Sequence, residues 1–166
     1  MKPTIPCFLG KTGNSHHYIQ IYRRVSPLVQ LIIGNKGRGK TRYLLEKVNS
    51  EVKDTLGNIC YLDKSSKHMF ELNNRVRLIN VSDFAIENTD EFIGFICGII
   101  SQDHDLEQMY FDSFLKIAHL EGQDITATIK RIQKIGDMFG VSFIISIAMD
   151  KEEVPAEFEE LIAVAL

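Results

Sequence analysis

The sequence has few cysteines and no apolar run of membrane length, and each absence excludes a class of protein. Its three cysteines, Cys7, Cys60 and Cys97, lie far apart and form no CxxC pair. Neither a disulfide framework nor a cysteine zinc site is therefore predicted, and we expect buried thiols. No stretch approaches the roughly 18 uncharged residues of a membrane helix, and residues 1–20 have no hydrophobic signal core. We therefore expect a cytoplasmic protein with no membrane span.

Net charge is also scarce, since the formal value is only −3 at pH 7. This balance argues against a surface that is basic throughout, but it leaves a local basic patch, and hence nucleic-acid binding, open. The 166 residues, 45% of them hydrophobic, suit one folded domain over 1–166. The sequence has no internal repeat, low-complexity tract or linker rich in Pro, Gly or Ser. Because no effector domain is built in, we expect a protein partner or self-association.

Short apolar runs alternate with longer segments whose apolar residues recur every three or four positions, which predicts an α/β fold. The predicted strands are Tyr18 to Tyr22, Leu28 to Ile33, Ile59 to Leu62, Val76 to Val81, Gln108 to Phe111 and Val141 to Met149. Four helices are predicted, and the first lies between Gly39 and Gly57. The second covers Glu91 to Gln102 and follows a loose capping box at Asn88, and the third covers Asp124 to Phe139 and ends before Gly140. A short closing helix is predicted around Phe158 to Ile162. Because Val141 to Met149 is apolar on both faces, we expect a three-layer, open and mostly parallel sheet with helices on both faces.

The first 26 residues are predicted to form a β extension of this domain. Tyr18, Gln20 and Tyr22 alternate with isoleucines after a glycine-containing turn, which favours an N-terminal β-hairpin. His16 and His17 lie in this region, and we expect them to be exposed turn residues rather than ligands.

Residues 34–41, GNKGRGKT, match the pattern G-x-x-x-x-G-K-[ST] at every specified position. The motif follows an apolar strand and opens an amphipathic helix, which is the order of a phosphate-binding loop. Its glycines let main-chain N–H groups point inward, and the helix adds unpaired amides and its positive dipole end. The predicted nucleotide-binding residues are Gly34, Asn35, Lys36, Gly37, Arg38, Gly39, Lys40, Thr41 and Arg42.

Individual side chains of this loop have distinct expected roles. Lys40 is expected to reach the β- and γ-phosphate oxygens, and the Thr41 hydroxyl to coordinate Mg²⁺. Lys36, Arg38 and Arg42 add positive charge that could neutralise a triphosphate. We expect at least two of these three to point into solvent, because the amides and Lys40 already hold the phosphates.

The metal requires an acidic residue, for which Asp112 is the candidate. It follows the apolar run 108–111, so we expect it at the carboxyl edge of the sheet, holding Mg²⁺ directly or through water. A simple role in ending the strand is the alternative. Asp63 ends another strand and could contact the metal-bound water or an acceptor substrate, but we favour a helix-capping role. His68 and His119 have no partners at ligand spacing and are not predicted to bind metal.

The loop motif, with Asp112 after a later strand, resembles P-loop NTPases of the RecA-like and AAA-like branch. That branch has an extra strand between the strands that carry its two motifs. The chain also resembles small bacterial ATP-binding proteins loosely described as twitching-motility-type ATPases, in the runs YFDSFLKI at 110–117 and FIISI at 143–147. The resemblance follows the order of elements from Leu28 onward. It implies ATP binding by the loop, Mg²⁺ at Thr41 and Asp112, catalytic roles for Lys40 and Asp112, and a polar sensor at Ser146 or Asp150.

One departure from that branch concerns the attacking water. Its metal-binding Asp is typically followed by a Glu that polarises water, whereas Ser113 follows Asp112 here. Another carboxylate must supply the base, or hydrolysis is slow. Glu121 is better placed for this than Glu107, because it follows the strand rather than precedes it.

Three functions are compatible with these observations. The first is a slow or partner-activated Mg²⁺-dependent ATPase or nucleotide switch. The second is a nucleoside or small-molecule kinase, since residues 31–45 resemble the start of a thymidine kinase, although no Asp-Glu pair or cysteine zinc module is present. The third, an interaction protein whose loop no longer binds nucleotide, is disfavoured by the intact Lys40 and Thr41. No Asn-Lys-x-Asp element marks a guanine pocket, which favours ATP over GTP.

Overall fold

A six-stranded, all-parallel β-sheet forms the centre of the computed structural model, which describes residues 28–166. The strands are β1 (Val29–Ile33), β2 (Asn58–Asp63), β3 (Val76–Asn80), β4 (Leu106–Phe111), β5 (Ser142–Ile147) and β6 (Ile162–Ala165). The helices are α1 (Lys40–Glu51), α2 (Thr89–Gln102), α3 (Phe114–Ile117) and α4 (Thr126–Phe139). Short 3₁₀ turns lie at Val81–Asp83, Lys151–Glu153 and Ala156–Leu161. The α/β prediction with a parallel sheet is confirmed.

The strand order across the sheet is β3-β2-β4-β5-β1-β6. Strand β5 therefore lies between β1 and β4, pairing in parallel with both. Because all strands run the same way, the residues that follow β1, β2, β4 and β5 emerge at the same edge of the sheet. This arrangement brings together segments that are far apart in the sequence.

Helices pack on both faces of the sheet, because successive strand residues point to opposite sides. Leu31 and Ile33 of β1 join one hydrophobic core with α2, α3 and α4. Ile32, on the other face, joins a second core with α1 and with Tyr61 and Tyr110. The sheet is thus the middle layer of three, and its apolar strands are covered on both sides as expected for a parallel sheet.

Most sequence-predicted elements lie within a few residues of the observed ones. The predicted strand Val141 to Met149 is shorter, because β5 ends at Ile147 and the Met149 N–H donates to the Ile147 carbonyl. Asn88 caps α2 by accepting the Glu91 N–H at 2.9 Å. The Glu91 carboxylate accepts from the Glu87 N–H rather than from Asn88, so the capping box is incomplete. The predicted hairpin and Tyr18 to Tyr22 lie outside the described residues.

The prediction of a short closing helix is confirmed only in part. Lys151–Glu153 and Ala156–Leu161 form short 3₁₀ helices, but residues 162–165 form β6, which pairs in parallel with β1 at the sheet edge. Phe158 is buried and fixes the second turn against the core. The apolar residues that follow it alternate between half-buried and exposed positions, which is the period of an edge strand rather than of a helix.

The cysteine expectation is confirmed only in part. Cys60 is a buried free thiol, and burial raises its pKa to about 11. Cys97 is free but half-buried, and Cys7 lies outside the described residues. Within residues 28–166, none of the helices has the length and apolar character needed to cross a bilayer.

Candidate functional site

The glycine-rich loop (residues 34–41) connects β1 to α1 and has a backbone that only glycine adopts readily. Gly37 and Gly39 have φ values of 86° and 91°, in the left-handed region where other residues are strained. Gly34 is required for a second reason, because a Cβ atom there would lie 2.6 Å from the Leu166 carbonyl oxygen. No side chain caps α1 at Gly39. The first-turn amides of α1 are therefore available to an anionic ligand.

The Lys40 side chain folds back over this loop. Its Nζ donates hydrogen bonds to the carbonyl oxygens of Gly34, at 2.5 Å, and Asn35, at 2.8 Å. Partial burial lowers the pKa of Lys40, while the negative charge of Asp112 opposes that shift. The ammonium group is thus held at the loop and within electrostatic range of Asp112.

The other cationic residues of the loop region are exposed, as expected for at least two of them. Lys36 and Arg38 are exposed, and the Arg42 side chain is 85% exposed and bonds Glu46 at 2.9 Å. Asn35 Nδ2 donates to Asp150 Oδ1 at 2.6 Å, so these two side chains join the loop to the segment after β5. Asp150 therefore contacts the loop rather than Asp112.

Asp112 lies directly after β4 and is buried. Its Oδ1 accepts hydrogen bonds from the Ser113 N–H at 2.7 Å and from the Ser146 hydroxyl at 2.8 Å. Within residues 28–166, its Oδ2 accepts only a long 3.4 Å contact from the Tyr61 hydroxyl. One carboxylate oxygen is thus fixed by the protein, and the other retains capacity for a ligand.

A cavity of about 870 Å³ connects the loop with Asp112. The predicted site residues on its wall are Lys36, Gly37, Gly39, Lys40, Thr41, Arg42, Asp112 and Ser146. Gly34, Asn35 and Arg38 do not line it. The structure therefore brings the two predicted ends of the site, the loop and the strand-end carboxylate, into one cavity.

The cavity is more basic than the loop sequence alone predicts. Lys64 and Lys67, which follow β2, and Lys116 of α3 also line it. Burial and the positive charges of Lys116 and Lys67 lower the pKa of Lys64. Such mutual repulsion favours an anionic occupant.

The two candidate bases are in different places. Glu121 lines the cavity with Asp112, whereas Glu107 is the second residue of β4, near the amino end of that strand. Ser113, where the resembled branch has Glu, adopts a left-handed conformation with φ 53°. Glu121 is thus the carboxylate of this pair that shares the cavity.

The favoured helix-capping role of Asp63 is wrong, because no helix follows β2: residues 64–75 form bends and turns up to β3. Asp63 is buried, with Oδ1 accepting the Lys64 N–H at 2.7 Å. Its Oδ2 is buried and has no hydrogen-bond partner among the residues that the structure describes. Burial, and then the charge of Asp112, raise the pKa of the Asp63 carboxyl.

His68 also occupies a place that sequence spacing did not indicate. A ligand atom of its ring, one of Asp63 and one of Asp112 all lie within 4.8 Å of one another. The three residues are brought together by the β2–β4 pairing and by the turn after β2. The only sequence signal is an Asp at a strand end with a His five residues later, which is not distinctive. His119 is exposed and lines a different cavity, of about 380 Å³, near the start of α2.

Replacing Asp63 with Asn is expected to stabilise the metal-free protein at neutral pH by roughly 1–3 kcal/mol, the cost of an unsatisfied buried acceptor. The amide removes a desolvated charge and its repulsion with Asp112. Because the Asp63 pKa is raised in the folded state, ionisation opposes folding. The free-energy cost of this ionisation is absent below pH 3.8, the ordinary pKa of the carboxyl group. It grows as the pH rises from there through the raised pKa.

Urea unfolding in EDTA at pH 4 and pH 7.5 measures this difference. The free energy of unfolding of Asp63→Asn should exceed that of the native chain by more at pH 7.5 than at pH 4. Asp105→Asn, at an exposed carboxylate, is the matched control. Equal or lower stability of Asp63→Asn at pH 7.5 would contradict the electrostatic account of this pair.

No protein-family model matches the chain, and no curated protein sequence matches it significantly. The function is therefore inferred from the residues of the cavity themselves.

Proposed function

We propose that the chain binds ATP together with Mg²⁺ and acts as a slow or partner-activated ATPase or nucleotide switch. One observation carries the proposal: the glycine-rich loop with Lys40 opens an uncapped helix in the same cavity as the buried carboxylate of Asp112. Amides, an ammonium group and a carboxylate are the set needed for a polyphosphate and its metal.

The phosphates would occupy the concave side of the loop. Main-chain N–H groups of the loop and of the first turn of α1 would donate to phosphate oxygens. Lys40 Nζ would exchange its bonds to the Gly34 and Asn35 carbonyls for bonds to the β- and γ-phosphate oxygens. This exchange keeps the ammonium group paired in both states.

The residues present also fit Mg²⁺, which prefers oxygen ligands and retains several waters. Thr41 offers a hydroxyl from the first turn of α1, and Asp112 offers Oδ2. Since Ser113 and Ser146 fix Oδ1, the carboxylate is already oriented. The bound metal would neutralise charge on the phosphates.

The strand order supports a relationship to the RecA-like and AAA-like branch of P-loop NTPases. In that branch a strand separates those carrying the phosphate loop and the metal-binding Asp, and here β5 separates β1 from β4. Because Ser113 cannot replace the usual Glu as a base, we propose that Glu121 or a group from a partner polarises the attacking water. A second copy of the chain or another protein could supply that group, and binding of a nucleic acid stays open.

The test is a thermal unfolding scan of the full chain with ATP, with and without Mg²⁺. At 100 times the dissociation constant, a ligand stabilises the folded state by about 2.7 kcal/mol. We expect Mg²⁺ with ATP to raise Tm, EDTA to reduce the rise, and Asp112→Asn to reduce the dependence on Mg²⁺. Asn retains an oxygen for the Ser113 and Ser146 hydrogen bonds, so the fold is preserved. No rise with Mg²⁺ and ATP would refute the proposal.

A kinase for a nucleoside or another small molecule is the second candidate. The observation favouring it is that the cavity extends beyond the loop to Lys64, Lys67 and Glu71, where an acceptor could bind. Phosphate release from ATP without an acceptor distinguishes the two. Release without acceptor supports the ATPase, whereas turnover that requires an added acceptor supports the kinase.

A further inference from the structure

Two buried polar atoms near the cavity are not used by the nucleotide proposal. Asp63 Oδ2 and His68 Nε2 are both buried and have no hydrogen-bond partner within residues 28–166, and His68 lines the cavity. Asp63 is only 1% exposed. Two unsatisfied atoms of a carboxylate and an imidazole beside a second buried carboxylate are costly unless a ligand satisfies them.

We propose that Asp63, His68 and Asp112 form a binding site for a divalent transition-metal ion. Ligand atoms from the three residues lie within 4.8 Å of one another. Neighbouring ligands of one ion lie about 3.0–3.5 Å apart, since each is about 2.1 Å from the metal. Side-chain movements of about 1 Å therefore suffice to form the site.

Glu71 orients the imidazole for this role. Its Oε1 lies 2.6 Å from His68 Nδ1, and a carboxylate can only accept, so Nδ1 carries the proton. In the neutral ring this leaves the lone pair on Nε2, the atom without a partner. A carboxylate bonded to the second ring nitrogen is the usual support for a metal-binding histidine.

The donor set indicates the class of metal. A nitrogen with two carboxylate oxygens suits Mn²⁺, Fe²⁺, Co²⁺ or Zn²⁺, whereas Mg²⁺ prefers oxygen ligands alone. A divalent cation would also offset the repulsion between Asp63 and Asp112. The site shares Asp112 with the proposed nucleotide site, but its formation requires no nucleotide.

The test is a titration of the EDTA-stripped full chain with Mn²⁺ in the absence of nucleotide, following free Mn²⁺ by EPR. We expect one Mn²⁺ per chain, displaced by Zn²⁺ but not by a tenfold excess of Mg²⁺. His68→Gln and Asp63→Asn should each weaken Mn²⁺ binding by at least about tenfold, since even residues that only orient a ligand contribute 10–100-fold. Circular dichroism shows whether each variant is folded. If His68→Gln does not fold, Asp63→Asn provides an independent test.

Two controls separate this site from other histidines. His104→Gln changes an exposed residue after α2, and a double His16→Gln, His17→Gln variant removes the adjacent pair in the undescribed segment; both should bind Mn²⁺ as the native chain does. The proposal is overturned if neither Mn²⁺ nor Zn²⁺ binds saturably below about 1 mM. It is also overturned if the folded His68→Gln and Asp63→Asn variants bind with native affinity, or if the double variant loses binding. Since no nucleotide is present, failure here leaves the ATP proposal to its own test.

Discussion

Replacing Lys40 with Ala is expected to weaken binding of Mg²⁺ with ATP by about 100-fold or more. Hydrogen bonds to charged groups contribute about 1.5–3 kcal/mol each, and Lys40 is proposed to make two, to the β- and γ-phosphates. A loss of about 2.8 kcal/mol already corresponds to 100-fold. Because Lys40 donates to the Gly34 and Asn35 carbonyls in the free protein, we also expect the variant to lose about 1–3 kcal/mol of folding free energy.

Isothermal titration calorimetry with the full chain measures this loss. Lys53→Ala is the matched control, because Lys53 is exposed beyond the far end of α1 and does not line the cavity. It should bind as the native chain does. Similar affinities for the native chain and Lys40→Ala would show that the loop does not hold the phosphates.

Replacing Phe111 with Ala is expected to cost about 3–5 kcal/mol of folding free energy. Phe111 is fully buried at the end of β4. Its ring packs against Phe92 and Phe143, each with centroids 5.5 Å away, and stacks on Phe114 at 6.1 Å. This cluster joins α2, β5 and α3 immediately beside Asp112, so its loss should also loosen the site.

Urea unfolding of the ligand-free chain gives the size of this effect. Phe70→Ala is the control for the substitution itself, since Phe70 is 91% exposed and should change stability little. A loss below about 1 kcal/mol for Phe111→Ala would contradict the packing described for this face of the sheet.

Local sequence signals are sufficient to predict much of the fold. The apolar run of β1, the motif that follows it and the stripe of isoleucines before Gly140 each indicate their element without tertiary information. Strand β6 was missed because Leu161 and Ile162 continue a helical spacing from Phe158. Its identity as a strand depends on pairing with β1, a contact between distant parts of the chain that periodicity does not reveal.

The same distinction applies to the site. The loop and Asp112 follow strands directly, so their shared edge of a parallel sheet is predictable from the order of elements. Asp63 also ends a strand and is predicted at the same edge, but its contact with Asp112 and His68 is not predictable in this way. Their proximity to Asp112 depends on β2 lying next to β4 and on the path of the turn that returns His68 over the sheet edge. A search for metal-ligand spacing within one segment of the sequence therefore does not find Asp63 and His68.

The position of the ATP phosphates can be seen in a crystal structure of the full chain with Mg²⁺ and a non-hydrolysable ATP analogue. If the glycine-rich loop holds them, we expect the β-phosphate among the amides of the loop and Mg²⁺ between Thr41 and Asp112. Lys40 Nζ should then contact phosphate oxygens instead of the Gly34 and Asn35 carbonyls. An analogue bound elsewhere, or a loop in which Lys40 keeps its carbonyl bonds at saturating analogue, would contradict this role of the loop.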